Sequence, residues 1–195
     1  MTTFYIVRHG EYENPAYIYP GRTPNGFPLT AHGREEIQRW CPYFADKQIA
    51  AIYSSPLVRT RESAEIFSAA LNLSVIEREC LTELKTNAEG ISMTVFDETN
   101  GEYSYLPEQI KVGAESIEEA GERIYRCAEE IRKTHVGNRV LLVSHGDPIR
   151  FLLMKYLNWP MEFATSRKIE MPLAAGFRLD IGENGASMAA LPMPR

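Results

Sequence analysis

TFYIVRHG, residues 3–10, decides the fold of this chain. Its first five residues are mostly aromatic or β-branched, a pattern typical of a strand buried inside a parallel sheet, and Arg8 and His9 follow directly. Residues 139–157, RVLLVSHGDPIRFLLMKYL, repeat this order, with an apolar run that ends at a histidine and a glycine. The two stretches therefore predict two buried strands that carry polar side chains at their carboxyl ends.

A third strand of this kind is predicted in residues 50–73, AAIYSSPLVRTRESAEIFSAALNL. The apolar run over 50–54 predicts the strand, and Ser55 and Pro56 predict the N-cap and first position of a following helix. Asn72 is the expected stop signal of that helix.

Helix signals flank these strands. Thr30 is the expected N-cap of a helix that runs past Trp40 to Pro42. Ser116 and Glu119 have the spacing of a capping box, which predicts another helix from 117. Asp147 is the expected cap of the helix that follows residues 139–145.

The remaining strand signals complete the fold prediction. A short strand is expected over 74–77, and Asn184-Gly185 predicts an antiparallel hairpin near the end of the chain. Strands that alternate with helices favour an α/β fold, a three-layer α/β/α sandwich with a mostly parallel sheet and an antiparallel edge. We see no internal repeat or linker, so one domain over 1–195 is expected.

Composition narrows the class of protein. The chain has 195 residues, 44% of them hydrophobic, and a formal charge of −5 without a basic run, which argues against nucleic acid as a partner. No apolar run approaches the roughly 20 residues that span a bilayer, and no signal-peptide pattern is present, so no membrane partner is expected. Cys41, Cys80 and Cys127 are an odd, widely spaced set, which predicts neither a disulfide framework nor a zinc site and favours the cytoplasm. The oligomeric state is left open.

Polar residues from three strand ends are expected to meet. Ligands of open parallel sheets bind beyond the carboxyl ends of the strands. The first strand places Arg8 and His9 there, the second leads to Arg59 in the first turn of its helix, and the third ends at His145. Two imidazoles and two guanidiniums are thus predicted to share one small space.

This set suits phosphoryl chemistry. Guanidiniums match phosphate oxygens in a bidentate fork, and helix N-termini add backbone N–H donors. Neighbouring arginines also disfavour protonation of a histidine, so His9 is expected to stay neutral and keep a lone pair for attack. His32 and His135 are expected to have no chemical role, and Tyr12, Tyr17 and Tyr19 are expected mainly to pack their loop.

The motifs IVRHGE (6–11), SSPLVRTRESA (54–64) and VSHGDPIR (143–150) resemble the signature of the histidine phosphatase superfamily, with its phosphoglycerate mutase-like fold. LTAHGREEIQ, residues 29–38, is similar to the start of the family's first helix. The resemblance implies that His9 is the nucleophile and forms a phosphohistidine. It further implies that Arg8, Arg59 and His145 hold the phosphoryl group, and that no metal or other cofactor is required.

The resemblance also implies an acid and a set of substrate contacts. Family members place a glutamate after the third strand, and we expect Glu83 to fill this role among the competing glutamates at 77, 79 and 89. Asn14, Arg22 and Gly146 are the expected substrate-binding residues. The usual asparagine position of the family is Pro15 here, so Asn14, one residue earlier, is carried over in its place.

Residues 84–114 lack strong periodicity and differ from the family pattern after Glu83, which predicts a lid over a small substrate. The expected activity is therefore a metal-independent phosphatase for a small phosphorylated metabolite. Phosphoglycerate mutase-type transfer and phosphohistidine protein phosphatase activity are the alternatives within the family. A non-catalytic phosphate-binding module is the alternative of a different class.

Overall fold

A six-stranded sheet forms the centre of the computed structural model, which describes residues 1–99 and 101–194. Its strands are β1 (Thr2–Arg8), β2 (Ile49–Ser54), β3 (Val75–Glu77), β4 (Arg139–Ser144), β5 (Gly176–Gly182) and β6 (Gly185–Leu191). They lie in the order β3-β2-β4-β1-β5-β6. The first four strands of this order are parallel, and β5 and β6 run antiparallel at one edge. The predicted mostly parallel sheet with an antiparallel edge is confirmed.

Helices cover both faces of the sheet. They are α1 (Ala31–Gln38), α2 (Cys41–Phe44), α3 (Val58–Leu71), α4 (Met93–Glu98), α5 (Pro107–Lys111), α6 (Ile117–Thr134), α7 (Gly146–Tyr156) and α8 (Phe163–Ser166). Short 3₁₀ turns occupy Glu79–Leu81 and Glu102–Tyr105. Among the helices of the described ranges, none is long and apolar enough to cross a membrane.

Alternate side chains of β1 belong to two separate hydrophobic cores, one on each face of the sheet. Phe4 and Ile6 belong to the core beneath α6 and α7, whereas Tyr5 and Val7 belong to the core beneath α1, α2 and α3. Successive side chains of a strand point to opposite faces, so a strand that is apolar at every position requires cover on both sides. The continuous apolar run of β1 is thus the sequence feature that demands a three-layer fold.

The pairing register of β1, β4 and β2 places the ends of these three strands side by side. Arg8 at the end of β1 pairs with Ser144 at the end of β4, and Ser54 at the end of β2 pairs with Val143. Because β4 lies between β1 and β2, the residues that follow all three strands emerge at one edge of the sheet. This edge carries the candidate site.

Several local predictions hold. Thr30 caps α1, with its hydroxyl accepting a hydrogen bond from the Gly33 N–H. Both hydrogen bonds of the predicted capping box of α6 are present, from Glu119 N to Ser116 Oγ and from Ser116 N to Glu119 Oε2. Asn72 ends α3 in the left-handed conformation, which asparagine tolerates well.

Three predicted helix boundaries are wrong. The helix expected to run past Trp40 ends at Gln38, and Pro42 lies at the start of the separate α2. Leu57, not Ser55, is the N-cap of α3, and the Ser55 hydroxyl contacts the Leu57 N–H and His145 instead of the first turn of the helix. At α7 the N-cap is His145, and Asp147 lies inside the first turn.

The cysteine prediction is also wrong. Cys80 and Cys127 form a disulfide, with their Cα atoms 5.9 Å apart. The two residues are 47 positions apart in sequence, and they meet because the 3₁₀ turn after β3 packs on α6. Cys41 is a free cysteine.

Residues 84–114 contain more regular structure than predicted. The two short helices α4 and α5 and a 3₁₀ turn lie within this segment. An isolated bridge between Ile18 and Ser92 joins it to the 12–28 loop, as do backbone hydrogen bonds from Tyr19 to Ile91 and from Met93 to Tyr17. The segment thus lies against the loop that follows His9.

Candidate active site

Four predicted residues meet at the carboxyl edge of the sheet. Arg8 and His9 end β1, Arg59 lies in the first turn of α3, and His145 joins β4 to α7. The two imidazole rings have their centroids 5.2 Å apart. The exposed fractions of His9, Arg59 and His145 are 2%, 1% and 0%. A buried cluster of cationic and imidazole side chains is therefore present where the sequence predicts it.

The surroundings of His9 define its tautomer. His9 Nδ1 lies 2.9 Å from the Gly10 carbonyl oxygen, so this nitrogen carries the proton and donates it. His9 Nε2 then has a lone pair, towards which Arg59 Nε donates at 3.3 Å. Burial, followed by the charges of Arg59 and Arg8, holds the pKa of His9 well below its ordinary value. Both effects favour the neutral imidazole, with an unprotonated Nε2.

Gly10 is required by the packing of α1 against this site. A Cβ on Gly10 would lie 2.4 Å from the Gly33 carbonyl oxygen, a backbone atom that cannot move aside as a side chain can. The Gly10 N–H donates to Ser63 Oγ on α3. The glycine of the arginine-histidine-glycine motif thus lets α1 approach the residue beside His9.

Arg59 is a buried cation with unused hydrogen-bonding capacity. Its Nη2 donates to the Gly21 carbonyl oxygen at 2.9 Å, and its guanidinium lies over the Tyr12 ring. Among the described residues, the buried Nη1 has no hydrogen-bond partner, and neither has Nε of Arg8. Burial lowers the pKa of both guanidiniums, but arginine remains charged in proteins. Unpaired buried donors of this kind fit an anion.

Ser55 positions the second histidine. His145 Nε2 lies 2.9 Å from Ser55 Oγ, and this hydroxyl also accepts a hydrogen bond from the Leu57 N–H. In the tautomer in which the Ser55 hydroxyl donates to Nε2, the ring proton is on Nδ1, a buried atom without a partner in the described part of the chain. Burial, Arg59 and His9 keep the pKa of His145 well below its ordinary value. His145 thus offers a neutral N–H donor.

Glu83 lines the cavity next to this cluster, whereas the competing glutamates at 77, 79 and 89 are exposed. Burial and the nearby charge of Asp147 raise the pKa of the Glu83 carboxyl. Its Oε1 accepts a hydrogen bond from the Leu84 N–H. A carboxyl group with a raised pKa at the cavity wall has the properties of a general acid.

Arg22, an expected substrate contact, has protein partners. Its Nε donates to the Glu83 carbonyl oxygen at 2.6 Å, and its Nη2 binds the Glu115 carboxylate at 2.8 Å. Arg123 on α6 binds the same carboxylate and donates to the carbonyl oxygens of Cys80 and Thr82. Arg22 therefore holds the backbone of Glu83 through these hydrogen bonds.

Asn14 also has protein partners. Its side chain donates to the Ile18 carbonyl oxygen and accepts from the Ile18 N–H, which closes the turn of the 12–28 loop. Gly146, by contrast, lines the cavity. Of the three expected substrate contacts, Gly146 is thus the one that lines this cavity.

Sequence reasoning missed two sets of functional residues. Ser55 was assigned to a helix cap, although it follows a strand whose end joins the site. The second set surrounds Asp147, whose carboxylate accepts hydrogen bonds from Tyr105, Arg150 and Arg167. Arg150 lies within the VSHGDPIR motif, so the sequence could have indicated it. No sequence pattern near Tyr105 or Arg167 indicates their contact with Asp147.

The model of the Histidine phosphatase superfamily (branch 1) matches residues 4–192 of this chain, which therefore belongs to that superfamily. The predicted resemblance is confirmed. Uncharacterized phosphatase PhoE of Bacillus subtilis is 28% identical over 176 residues, covering 89% of this chain and 87% of the relative. Probable phosphoglycerate mutase GpmB of Photorhabdus laumondii is 31% identical over 174 residues, covering 82% and 77%.

Solved structures agree on the fold. YhfR of Bacillus stearothermophilus superposes with a TM-score of 0.81 at 21% identity, over 97% of this chain and 96% of that one. A phosphoserine phosphatase mutant of Entamoeba histolytica, in complex with phosphoserine, superposes with a TM-score of 0.80 at 18% identity, over 97% and 96%. The predicted phosphoglycerate mutase-like fold is therefore confirmed.

Proposed function

We propose that this chain is a phosphatase that hydrolyses a small phosphate monoester through a covalent phosphohistidine on His9. The observation that carries the proposal is the pairing of a neutral His9 Nε2 with unused buried donors on Arg8, Arg59 and His145. An unprotonated nucleophilic nitrogen and three donors for phosphate oxygens are together what phosphoryl transfer to histidine needs.

In the first step, His9 Nε2 attacks the phosphorus atom and the bond from phosphorus to the ester oxygen breaks. The leaving oxygen takes the proton of the Glu83 carboxyl, whose raised pKa keeps that proton available. Arg8, Arg59 and His145 stabilise the charge on the transferring phosphoryl oxygens, an effect worth on the order of 10²–10³ in rate for each donor.

In the second step, water replaces the alcohol. The Glu83 carboxylate left by the first step accepts a proton from this water, and the water oxygen forms a bond to phosphorus. The bond from phosphorus to His9 Nε2 breaks, so inorganic phosphate leaves and the imidazole returns to its starting form. No step in this scheme uses a metal, because the guanidiniums carry the positive charge that phosphoryl transfer requires.

The names of similar proteins support a small phosphorylated substrate. PhoE of Bacillus subtilis is named a phosphatase, and one fold neighbour is a phosphoserine phosphatase. The half-closed cavity beside the histidines, about 380 Å³ in volume and partly covered by the 84–114 segment, suits a metabolite better than a folded protein. We propose that 84–114 acts as the lid of this cavity.

A mutase-type transfer is the second candidate, because the 31% identical relative carries the name probable phosphoglycerate mutase. A mutase returns the phosphoryl group to its product and releases little inorganic phosphate. The two candidates are separated by the fate of the phosphoryl group when 3-phosphoglycerate is supplied. Phosphate release favours the phosphatase, and conversion to 2-phosphoglycerate favours the mutase.

Hydrolysis of p-nitrophenyl phosphate in EDTA tests the proposed function. The wild-type protein is expected to be active without metal, and His9→Ala is expected to be inactive. His32→Ala, at an exposed histidine of α1, is the matched control and should keep wild-type activity. No hydrolysis by folded wild-type protein would shift the assignment to the mutase or to a phosphate-binding module. Loss of activity in EDTA would overturn the metal-independent mechanism.

A further inference from the structure

The proposed acid lies at the end of a short segment that a covalent bond attaches to α6. Cys80 is in the 3₁₀ turn Glu79–Leu81, and Glu83 follows it three residues later. The disulfide joins Cys80 to Cys127, which lies on α6. A single turn has few hydrogen bonds of its own, so its position depends on such attachments to the rest of the fold.

Hydrogen bonds attach the same segment to its surroundings beside the disulfide. Arg123, also on α6, donates to the carbonyl oxygens of Cys80 and Thr82. The Ser144 hydroxyl, at the end of β4, donates to the Leu81 carbonyl oxygen at 2.7 Å. Unlike these hydrogen bonds, a disulfide is broken by thiols, which makes this attachment of the segment dependent on redox conditions.

The packing around the disulfide determines which partner moves when the bond breaks. Two thiols do not stay at bonding distance, so the sulfur atoms must separate. Cys127 is 3% exposed and belongs to the core beneath α6 and α7, where close packing leaves little room. Cys80 is only half-buried and lies in a short turn. The turn therefore moves more readily than the helix, and Glu83 moves with it.

The partial exposure of Cys80 also gives a reductant access to the bond. A thiolate of a dithiol attacks Cys80 Sγ, the bond to Cys127 Sγ breaks, and the Cys127 sulfur leaves and takes up a proton. The second thiol of the reductant then attacks the mixed disulfide and releases Cys80 as a thiol. The protein gains two electrons and two protons, and the dithiol is oxidised to its own disulfide.

We propose that the Cys80–Cys127 disulfide positions Glu83, and that its reduction by a dithiol selectively lowers the activity that needs a proton donor. The inference rests on the proposed function for the role of Glu83. His9 follows β1 and Arg59 lies in α3, elements to which the disulfide is not attached, so the phosphate site should keep its geometry. The two cysteines are therefore positioning residues for the acid alone.

Kinetics on oxidised and reduced wild-type protein test this selectivity. The protein would be assayed before and after treatment with dithiothreitol, with glycerol 3-phosphate and p-nitrophenyl phosphate as substrates. We expect the kcat for glycerol 3-phosphate to fall about 10-fold on reduction, with KM little changed, because the acid is displaced rather than removed. The kcat for p-nitrophenyl phosphate should change less than about twofold, since its leaving group needs no proton.

Reoxidation should restore the lost activity, which separates a displaced acid from an unfolded protein. Equal losses on the two substrates would show a general loss of structure and contradict the inference. An unchanged kcat for glycerol 3-phosphate in the reduced protein would also contradict it.

Variants assign the response to this disulfide. Cys80→Ser/Cys127→Ala protein lacks the bond, so it should have the lowered kcat for glycerol 3-phosphate with or without dithiothreitol. Cys41→Ser is the matched control, at a free cysteine that packs against the core on the other face of the sheet, and it should keep the wild-type response. A response that persists in the double variant would assign the effect to another group.

Hydrogen exchange gives a readout that does not depend on turnover. Mass spectrometry would compare amide exchange in oxidised and reduced wild-type protein. Peptides covering 79–85 are expected to exchange roughly 3- to 10-fold faster after reduction, because less free energy opposes local opening, whereas peptides from β1 keep their rates. Unchanged exchange over 79–85 would overturn the inference even if the protein hydrolyses p-nitrophenyl phosphate. Faster exchange there in a protein that hydrolyses neither substrate would support the structural coupling and count against the proposed function.

Discussion

The two ends of the proposed active site, the phosphate end and the leaving-group end, are built in different ways. At the phosphate end, the side chains follow buried strands or lie in the first turn of a helix, and His9, Arg59 and His145 are almost completely buried. At the leaving-group end, Glu83 comes from a loop and Tyr105 from a short 3₁₀ turn, and hydrogen bonds of side chains hold both segments in place. The sheet therefore positions the residues of the proposed phosphate site, while loops position the proposed acid, Glu83.

The acid at the leaving-group end gives the largest expected effect. Glu83→Gln should lower kcat about 10²–10⁴-fold with a sugar or glycerol phosphate, because the alkoxide then leaves without a proton. With p-nitrophenyl phosphate the loss should be far smaller, since p-nitrophenolate is already a good leaving group. Steady-state kinetics on both substrates measure this split.

The exposed Glu79 provides the control for that experiment, since Glu79→Gln changes the same charge outside the cavity. Equal losses on the two substrates in Glu83→Gln would show that Glu83 is not the proton donor.

Arg59 tests the phosphate end. Arg59→Ala should lower kcat/KM on the order of 10²–10³-fold, because one donor to the transferring phosphoryl group is lost. The loss should be similar for p-nitrophenyl phosphate and for a sugar phosphate, in contrast to Glu83→Gln. Arg61→Ala, two residues along α3 at a more exposed arginine, is the control. A strong dependence on the leaving group in Arg59→Ala would break the division between the two ends.

The pH dependence sharpens the same division. His9 must be neutral to attack. Because its pKa is lowered, the rise of activity with pH should occur at pH values well below the ordinary pKa of histidine. Glu83 must be protonated to act as an acid, so activity on a poor leaving group falls as pH rises through its raised pKa. The alkaline decline should therefore be present with glycerol phosphate and absent in Glu83→Gln. A decline that persists unchanged in Glu83→Gln would assign it to another group.

The smallest expected effect comes from Arg22, whose hydrogen bonds hold the backbone of Glu83. Arg22→Gln removes the hydrogen bonds to the Glu83 carbonyl oxygen and to Glu115. A few-fold loss of kcat is expected with a poor leaving group, with KM little changed, because Arg22 acts through the position of Glu83. A rise in KM alone would instead support the earlier expectation that Arg22 binds substrate.

The same contrast explains what could be predicted from the sequence. Buried parallel strands leave a strong apolar signal, and their shared edge brings Arg8, His9 and His145 together without any knowledge of side-chain packing. The tautomer-setting contact of Ser55 depends on a strand end and a neighbouring helix that are far apart in sequence. Helix-cap preference alone predicts a backbone N–H partner for Ser55 and does not indicate His145.

The leaving-group end could not be predicted because its contacts have no periodic signal. Arg22 meets Glu115 across 93 positions, and Tyr105 meets Asp147 across 42 positions. The Cys80–Cys127 disulfide likewise depends on how a 3₁₀ turn packs on α6. Such contacts form only after the sheet and its helices are in place, so composition and spacing do not indicate them.

The most direct test of the central claim is to locate the phosphoryl group on the enzyme. Wild-type protein would be mixed with substrate, quenched in alkali, which preserves phosphohistidine, and digested with trypsin for mass spectrometry. The account predicts a phosphoryl group on His9 in the peptide covering residues 9–22 and none on any peptide of the His9→Ala protein. A phosphoryl group on another residue, or hydrolysis that persists in His9→Ala, would contradict it.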